Sequence, residues 1–417
     1  MSKGNQQESM PKVDFVKDKA NINQGELDYI RLIERQNRER VLKLQKIRRA
    51  NLWTAGILGA GVFSIYLYSM LAVKQENFLD DFNEPAREGS NLIRLYKLRA
   101  QKQLSQNFLL DSKVTDKIVK AAGGLKLEGS EVCEVGPGPG PITRSILNVG
   151  VKKLVVIEKD ERFLPTLQLL ADAAPGRLDI ILGDVLSFSM KQTFSTELRK
   201  TDWQDVPPPI HILGNLPFNV STPLIIRWLR DISVRENAWS YGRVRMTLTF
   251  QEEVAERMVA REGDSQRCRL SIMCQNYCHV FHKFTIPGRA FVPKPDVNVG
   301  VVHLVPRARP FINAPFPVIE KVVRNIFGFR QKYSIRGAER LFPLVLRDSL
   351  APELFIRSDI SPETRPFQLS LHEFSRLVEA YWDLCQREPK LFDYNHRAPL
   401  SERGEDEWGE DREIVSA

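Results

Sequence analysis

Val132-Cys133-Glu134-Val135-Gly136-Pro137-Gly138-Pro139-Gly140-Pro141 decides the fold. A short apolar run passes into a loop with glycine at alternate positions, and then into a proline that a first helical turn tolerates. The pattern is strand, glycine loop, helix start, and such glycines let backbone N–H groups approach a ligand closely. Working outward, Leu154-Val155-Val156-Ile157-Glu158 is the next buried strand, and its acid stands 18 positions after Gly140. That spacing sets a carboxylate on a ribose diol beside the loop; by itself it means a nucleoside-containing cofactor, NAD included. Leu178-Asp179-Ile180-Ile181-Leu182-Gly183-Asp184 is a third strand, again ending in an acid, which can accept from an adenine amino group. Taken singly, Glu158 reads as a strand-end charge and Gly183-Asp184 as a turn.

A fourth strand, Ile210-His211-Ile212-Leu213, follows the break Pro207-Pro208-Pro209 and runs into Gly214-Asn215-Leu216-Pro217-Phe218. In open α/β sheets the C-terminal edge of the strands is where ligands bind. Asn215 offers a neutral acceptor there, Pro217 a pre-set φ and a free carbonyl, and Phe218 a flat apolar face. Together they hold an exocyclic amino group by two acceptors while the attached base stacks. The plain alternative is a strand-to-loop turn, and the polar ends of the neighbouring strands argue against it.

At 417 residues the chain has room for about two to three domains. Hydrophobic content of 42% and charged content of 27% are globular values. The formal charge of +8, from 60 basic and 52 acidic residues, is mildly basic and compatible with a nucleic-acid partner. Five cysteines without dense spacing exclude a disulfide scaffold and fit a reducing compartment. Cys274, Cys278, His279 and His282 lie in an apolar, strand-like segment that sends neighbours to opposite faces, so no metal site is read there.

Residues 1–49 are polar, with Leu27, Ile30, Ile33, Val41, Leu44 and Ile47 as a loose apolar stripe from Glu26 to Arg49, which reads either as an amphipathic helix that pairs with another helix or as a solvated stalk. Ala50 to Val73 carries no charge and is long enough for a transmembrane helix, which needs about 20 residues. Trp53, Tyr66 and Tyr68 suit its interfaces. Lys43, Lys46, Arg48 and Arg49 crowd one flank, and the other has Lys74 and then Glu76, Asp80, Asp81 and Glu84, which retains residues 1–49 on the matrix or cytosolic side. This layout of basic helix, single span and acidic tail through Asn77-Phe78-Leu79-Asp80-Asp81-Phe82 resembles the small cytochrome c oxidase assembly factor 3 family. That resemblance implies an inner-membrane anchor at 50–73 and cytochrome c oxidase assembly proteins as partners of residues 1–85. Residues 74–91 are an acidic tail and junction.

From Leu92 the character is soluble α/β, with a basic amphipathic helix over 92–99 and a further helix through Val119. Gln106-Asn107-Phe108-Leu109, Glu134-Val135-Gly136-Pro137-Gly138, Ile157-Glu158-Lys159-Asp160, Gly183-Asp184 and Gly214-Asn215-Leu216-Pro217-Phe218 stand in the order and spacing of the ribosomal RNA adenine dimethylases. The chain is similar above all to the mitochondrial members, over roughly Leu92 to Arg397. The resemblance implies a Rossmann-like methyltransferase sheet that uses S-adenosylmethionine. It also implies dimethylation of N6 on two adjacent adenosines in a small-subunit rRNA hairpin loop, with the mitochondrial small ribosomal subunit as partner.

Residue by residue, the resemblance puts Gln106 and Leu109 at the methionine side of the cofactor and Gly136 where the backbone closes on it. Glu158 takes the ribose hydroxyls with Lys159 beside it, Asp184 contacts the adenine, and Asn215 lies between cofactor and target amine. Phe218 stacks on the extruded base. Phe291-Val292-Pro293-Lys294-Pro295 matches the family's Phe-x-Pro-x-Pro, which makes Phe291 the second face of an aromatic sandwich, with hairpin core packing as its alternative.

The expected architecture is therefore α/β: a methyltransferase domain over 92–305, a helical rRNA-binding domain over 306–397 and an acidic, disordered tail over 398–417, preceded by the single-span segment. Arg324, Arg330, Lys332, Arg336 and Arg340 form a basic surface on the helical domain, suited to the RNA backbone, with a solvated helical face as the competing reading. The implied location is mitochondrial, matrix for the methyltransferase part and inner membrane for the N-terminal part. The competing reading is a non-catalytic mitochondrial transcription factor, or a membrane-tethered assembly factor whose methylase half no longer turns over. Intact Asn215, Pro217, Phe218 and Glu158 favour the enzyme.

Overall fold

The computed structural model describes residues 107–195 and 200–398, together with Arg35, Leu42, Gln45, Lys46, Arg48 and Asn51. Those six are helical and exposed, the apolar Leu42 among them. The rest of residues 1–106 lies outside the described residues, and with it the expected span 50–73 (apart from Asn51), the 92–99 helix and Gln106; the acidic tail beyond Ala398 lies outside them too. No helix among the described residues is long and apolar enough to cross a membrane. Met1–Asp81 and Phe82–Ala417 form two separate units.

Within the second unit the strands come in the expected order. β1 (Phe108–Leu109) precedes α1 (Ser112–Ala122), whose N-cap Asp111 accepts from Lys113 N–H. β2 (Glu131–Val135), α2 (Pro141–Asn148), β3 (Lys153–Glu158), α3 (Leu164–Ala173) and β4 (Leu178–Leu182) follow. Next are β5 (Ile210–Gly214), α4 (Phe218–Val234), β6 (Arg245–Gln251), α5 (Glu252–Val259) and α6 (Arg269–Tyr277). β7 (Cys278–Ile286), β8 (Phe291–Val292) and β9 (Val299–Pro306) complete the strands. The segment around Cys274 is thus helical, not strand-like: α6 passes into β7 at Cys278 with no glycine or proline between them to mark the change.

Seven strands form one sheet in the order β4-β3-β2-β5-β6-β9-β7. The first five are parallel; β9 pairs antiparallel to β6 and β7 antiparallel to β9. Strand order reverses beside β2, which makes the C-terminal edge of β2, β3 and β5 the place for a ligand crevice.

Side chains alternate between two cores, because successive strand residues face opposite ways. Cys133, Val135, Ile157, Ile210 and Ile212 face Leu224 and Trp228 of α4. Val132, Leu154, Val156 and Leu213 face Val114 and Ile118 of α1 and Ile142 and Ile146 of α2. The first of these cores continues without a break through Leu304, Ile312 and Phe316 into the C-terminal helices α7 (Phe316–Ile326), α8 (Ser334–Ala338), α9 (Leu344–Ser358) and α10 (Leu371–Arg387).

Candidate active site at the strand ends

Because β4, β3, β2 and β5 are neighbours, the polar groups that end them stand in a row: Asp184, Glu158, the Gly136–Gly140 loop, Asn215. Asp184, Glu158, Asn215 and the loop from Gly136 to Pro139 line one cavity of about 440 Å³, within the range of small-molecule clefts, roughly 300–1,000 Å³. Leu109, Lys159, Leu216, Pro217, Phe218 and Phe291 line it as well.

The loop's path depends on its glycines. Gly136 and Gly138 have φ of 65° and 55°, a left-handed conformation that side-chain-bearing residues rarely adopt. Gly136 N–H donates to the Ile157 carbonyl at 3.0 Å. Gly138 N–H donates to Glu158 Oε2 at 2.9 Å, and Lys159 and Asp160 donate their N–H groups to Oε1 at 2.9 Å each. A carboxylate has about four lone-pair sites. Glu158 has thus engaged three of them, and the one left, on Oε2, suits a single hydroxyl rather than a whole diol. Glu158 is 7% exposed. Burial raises its pKa, and the three N–H donors partly offset that.

Lys159 turns from Glu158 to Asp184, with Nζ donating to Oδ2 at 2.8 Å. Leu186 N–H donates to Asp184 Oδ1 at 2.9 Å. The lysine first, then this N–H, hold the Asp184 pKa below the usual carboxylate range.

Beyond β5, the Asn215 carboxamide is held on both sides. Nδ2 donates to the Asn107 carbonyl at 3.2 Å, and Oδ1 accepts from Thr249 Oγ1 at 2.8 Å. The expected free acceptor at Pro217 is corrected by the helix that follows it. Pro217 is the N-cap of α4, and its carbonyl accepts from Val220 N–H at 3.0 Å and Ser221 N–H at 3.1 Å. One position earlier, the Leu216 carbonyl accepts from no donor among the described residues. It is the backbone acceptor next to Asn215 that remains open.

Phe218 is half-buried at the start of α4 and faces the cavity. Phe291 is 2% exposed. It sits in β8, opposite Leu109 of β1, so the Phe-x-Pro-x-Pro segment pairs with the distant 108–109 segment rather than with itself. Sequence reasoning missed Asn107, Phe108 and Thr249. The first two stand inside the quoted Gln106–Leu109 run, whereas nothing in the sequence marks Thr249. In the C-terminal part, Lys332 and Arg336 are exposed and Arg324, Arg330 and Arg340 half-buried. Arg340 stacks on Phe329, its guanidinium carbon 3.9 Å from the ring centre.

The sequence profile of the ribosomal RNA adenine dimethylase family matches residues 97–350, and that of cytochrome c oxidase assembly factor 3 matches residues 37–85. Over 312 residues the chain is 55% identical to the mitochondrial dimethyladenosine transferase 1 of Macaca fascicularis, covering 75% of this chain and 90% of that protein. The protein of the same name from Drosophila melanogaster is 47% identical over 311 residues, 74% of this chain and 91% of its own. A solved dimethyladenosine transferase from Plasmodium falciparum superposes with a TM-score of 0.50 at 23% identity, covering 64% of this chain and 94% of that one. At that identity the likeness speaks for the fold.

Proposed function

We infer the function from one premise: the chain belongs to the ribosomal RNA adenine dimethylase family. It is an S-adenosylmethionine-dependent enzyme that dimethylates N6 of adenosine in rRNA. We propose that its substrate is a pair of adjacent adenosines in a hairpin loop of mitochondrial small-subunit rRNA. The observation that carries the proposal is the row Asp184, Glu158, Gly136–Gly138, Asn215 around one cavity.

The residues present fit the cofactor. Gly136 and Gly138 keep the cavity wall free of side chains where the backbone is closest, Glu158 retains an acceptor for a ribose hydroxyl, and Asp184 is positioned for the adenine amino group. Leu109 borders the methionine side, and Gln106, outside the described residues, is proposed beside it. When bound, S-adenosylmethionine supplies a methyl group on a positively charged sulfur, which an amine lone pair can displace.

An adenine N6 lone pair is delocalised into the ring and is a poor nucleophile. Asn215 Oδ1 and the Leu216 carbonyl are two acceptors that fix the directions of the N6 hydrogens, and with them the direction of the lone pair. Orientation of this kind is worth up to about 7–11 kcal/mol in ideal cases. Pro217 contributes the turn that presents Leu216. Phe218 offers a stacking face, worth roughly 1–3 kcal/mol per base, and Phe291 supports the wall behind it. Extruding a base from a loop costs less than from a duplex. Residues 306–397, with Lys332 and Arg336 at their surface, are proposed to hold the RNA backbone.

Methyl transfer by the full chain to an unmodified small-subunit rRNA hairpin, measured by nucleoside mass spectrometry, tests this reading. N6,N6-dimethyladenosine at two adjacent loop positions is expected. No transfer to that hairpin, with transfer to another RNA, would overturn the substrate.

For the N-terminal part we propose a mitochondrial inner-membrane anchor at residues 50–73 and assembly-factor partners for residues 1–85, on the match at residues 37–85 and the uncharged run. A span that retains Lys46, Arg48 and Arg49 in the matrix puts everything after Val73 on the other side. The matrix methylase is then made or released separately. Protease protection of tags at both ends in mitoplasts tests this: a shielded C-terminal tag on an uncleaved, membrane-integrated chain would refute it.

A further inference from the structure

Thr249 lies on β6, opposite Val301 of β9, and its side chain is fully buried. A buried hydroxyl is costly unless hydrogen-bonded, and valine would fill the same space in a strand with no such cost. The Thr249 hydroxyl donates to Asn215 Oδ1 at 2.8 Å. On the other side of the carboxamide, the Asn107 carbonyl is an obligate acceptor, 3.2 Å from Nδ2. A carbonyl can face only the amide nitrogen, so Oδ1 must point at Thr249. One hydrogen of Nδ2 and one lone pair of Oδ1 are used by the protein; the other lone pair is left, in a fixed direction, for the target amine.

We propose that Thr249 is a positioning residue for Asn215 and that its hydroxyl matters more for the second methyl transfer than for the first. This rests on the proposed role of Asn215. Unmodified N6 carries two hydrogens and can engage both Asn215 Oδ1 and the Leu216 carbonyl. After one methylation a single N–H remains, and the amine hangs from one acceptor. Two acceptors still restrain each other's partner when one is loose; a single acceptor holds a direction only if it is itself held. Removing the Thr249 hydroxyl therefore leaves the first transfer with a partial grip and the second with a swinging one.

The test uses the full chain, the unmodified small-subunit rRNA hairpin and S-adenosylmethionine, with monomethyl and dimethyl adenosine counted by mass spectrometry over time. Thr249→Val is expected to raise the ratio of monomethyl to dimethyl product by about tenfold, the scale of one lost hydrogen bond. Its cofactor affinity should stay within about twofold. Thr249→Ser keeps the hydroxyl and should restore the wild-type ratio. If Thr249→Val does not fold, Thr249→Ala against Thr249→Ser gives the same comparison. A wild-type product ratio in a folded Val or Ala variant, or an equal shift in the Ser variant, overturns the proposal. Asn215→Ala separates the two levels: if it still dimethylates, the role given to Asn215 fails; if it is inactive while Thr249→Val keeps the wild-type ratio, only the role of Thr249 fails.

Discussion

Gly138 donates its backbone N–H to Glu158 Oε2 at 2.9 Å, so the glycine loop after β2 is tied to the carboxylate that ends β3. Glu158 thereby has two tasks, shaping the loop and offering its remaining lone pair to a ribose hydroxyl. Glu158→Ala removes both at once. Calorimetry should show S-adenosylmethionine binding weakened by about 1.5–3 kcal/mol, as for loss of charged hydrogen bonds. Unchanged affinity would take Glu158 out of the site.

Asn215 lines the cavity, and of the carboxamides there it is the one held by both the Asn107 carbonyl and the Thr249 hydroxyl. Asn215→Ala should lower methyl transfer to the rRNA hairpin by about a thousandfold or more, since orientation of the amine is lost. Circular dichroism and the thermal midpoint should remain close to wild type. Near-normal dimethylation would sink the mechanism.

Gly214 is the last residue of β5, and a Cβ there would lie 2.7 Å from the Val135 carbonyl oxygen, with Val135 Cγ2 nearer still. Backbone cannot move aside cheaply, so Gly214→Ala must spread β2 from β5 at the point where Asn215 leaves the sheet. Urea unfolding should show a loss of about 1–3 kcal/mol, the usual cost of overpacking. Activity should fall further than this loss explains. Gly328→Ala, where nothing lies within 4 Å, should change stability by less than about 0.5 kcal/mol. Equal behaviour of the two variants would refute the steric account.

Glu158, Asp184 and Asn215 were legible because each closes an apolar run, and a parallel sheet brings such run ends to one edge without any knowledge of side-chain contacts. Pro217 was misread for a local reason. Its carbonyl becomes the first acceptor of α4, and Pro223 inside that helix obscures where the helix begins. Thr249 was invisible because its partner stands 34 residues upstream, and the meeting of the two exists only once β6 lies beside β5. The strand-like reading around Cys274 failed because a buried helix and a buried strand are equally apolar, and no punctuation separates α6 from β7.

Glu134, in the strand beneath the glycine loop, supplies the pH test. It is fully buried, accepts from Thr143 Oγ1 at 2.6 Å through Oε2, and leaves Oε1 without a partner. Burial pushes its pKa up to about 8, with the Thr143 hydroxyl opposing and the neighbouring Glu158 adding to the rise. In the folded protein the carboxyl is therefore neutral at pH 7, whereas in the unfolded chain it ionises above its ordinary value of 4.5. Between those values the unfolded state holds fewer protons than the folded one, so stability falls as pH rises. The contribution is fully present below the unfolded pKa and is lost as pH climbs through the folded one. Glu134→Gln keeps an acceptor for Thr143 but cannot ionise. From about pH 5 to about pH 8, wild type should lose on the order of 3–5 kcal/mol of unfolding free energy relative to this variant. Urea titrations of both proteins at the two ends of that window measure the difference. A wild-type-minus-variant difference that stays constant across the window would mean that Glu134 is charged in the folded protein. The glycine loop would then rest on two carboxylates rather than one.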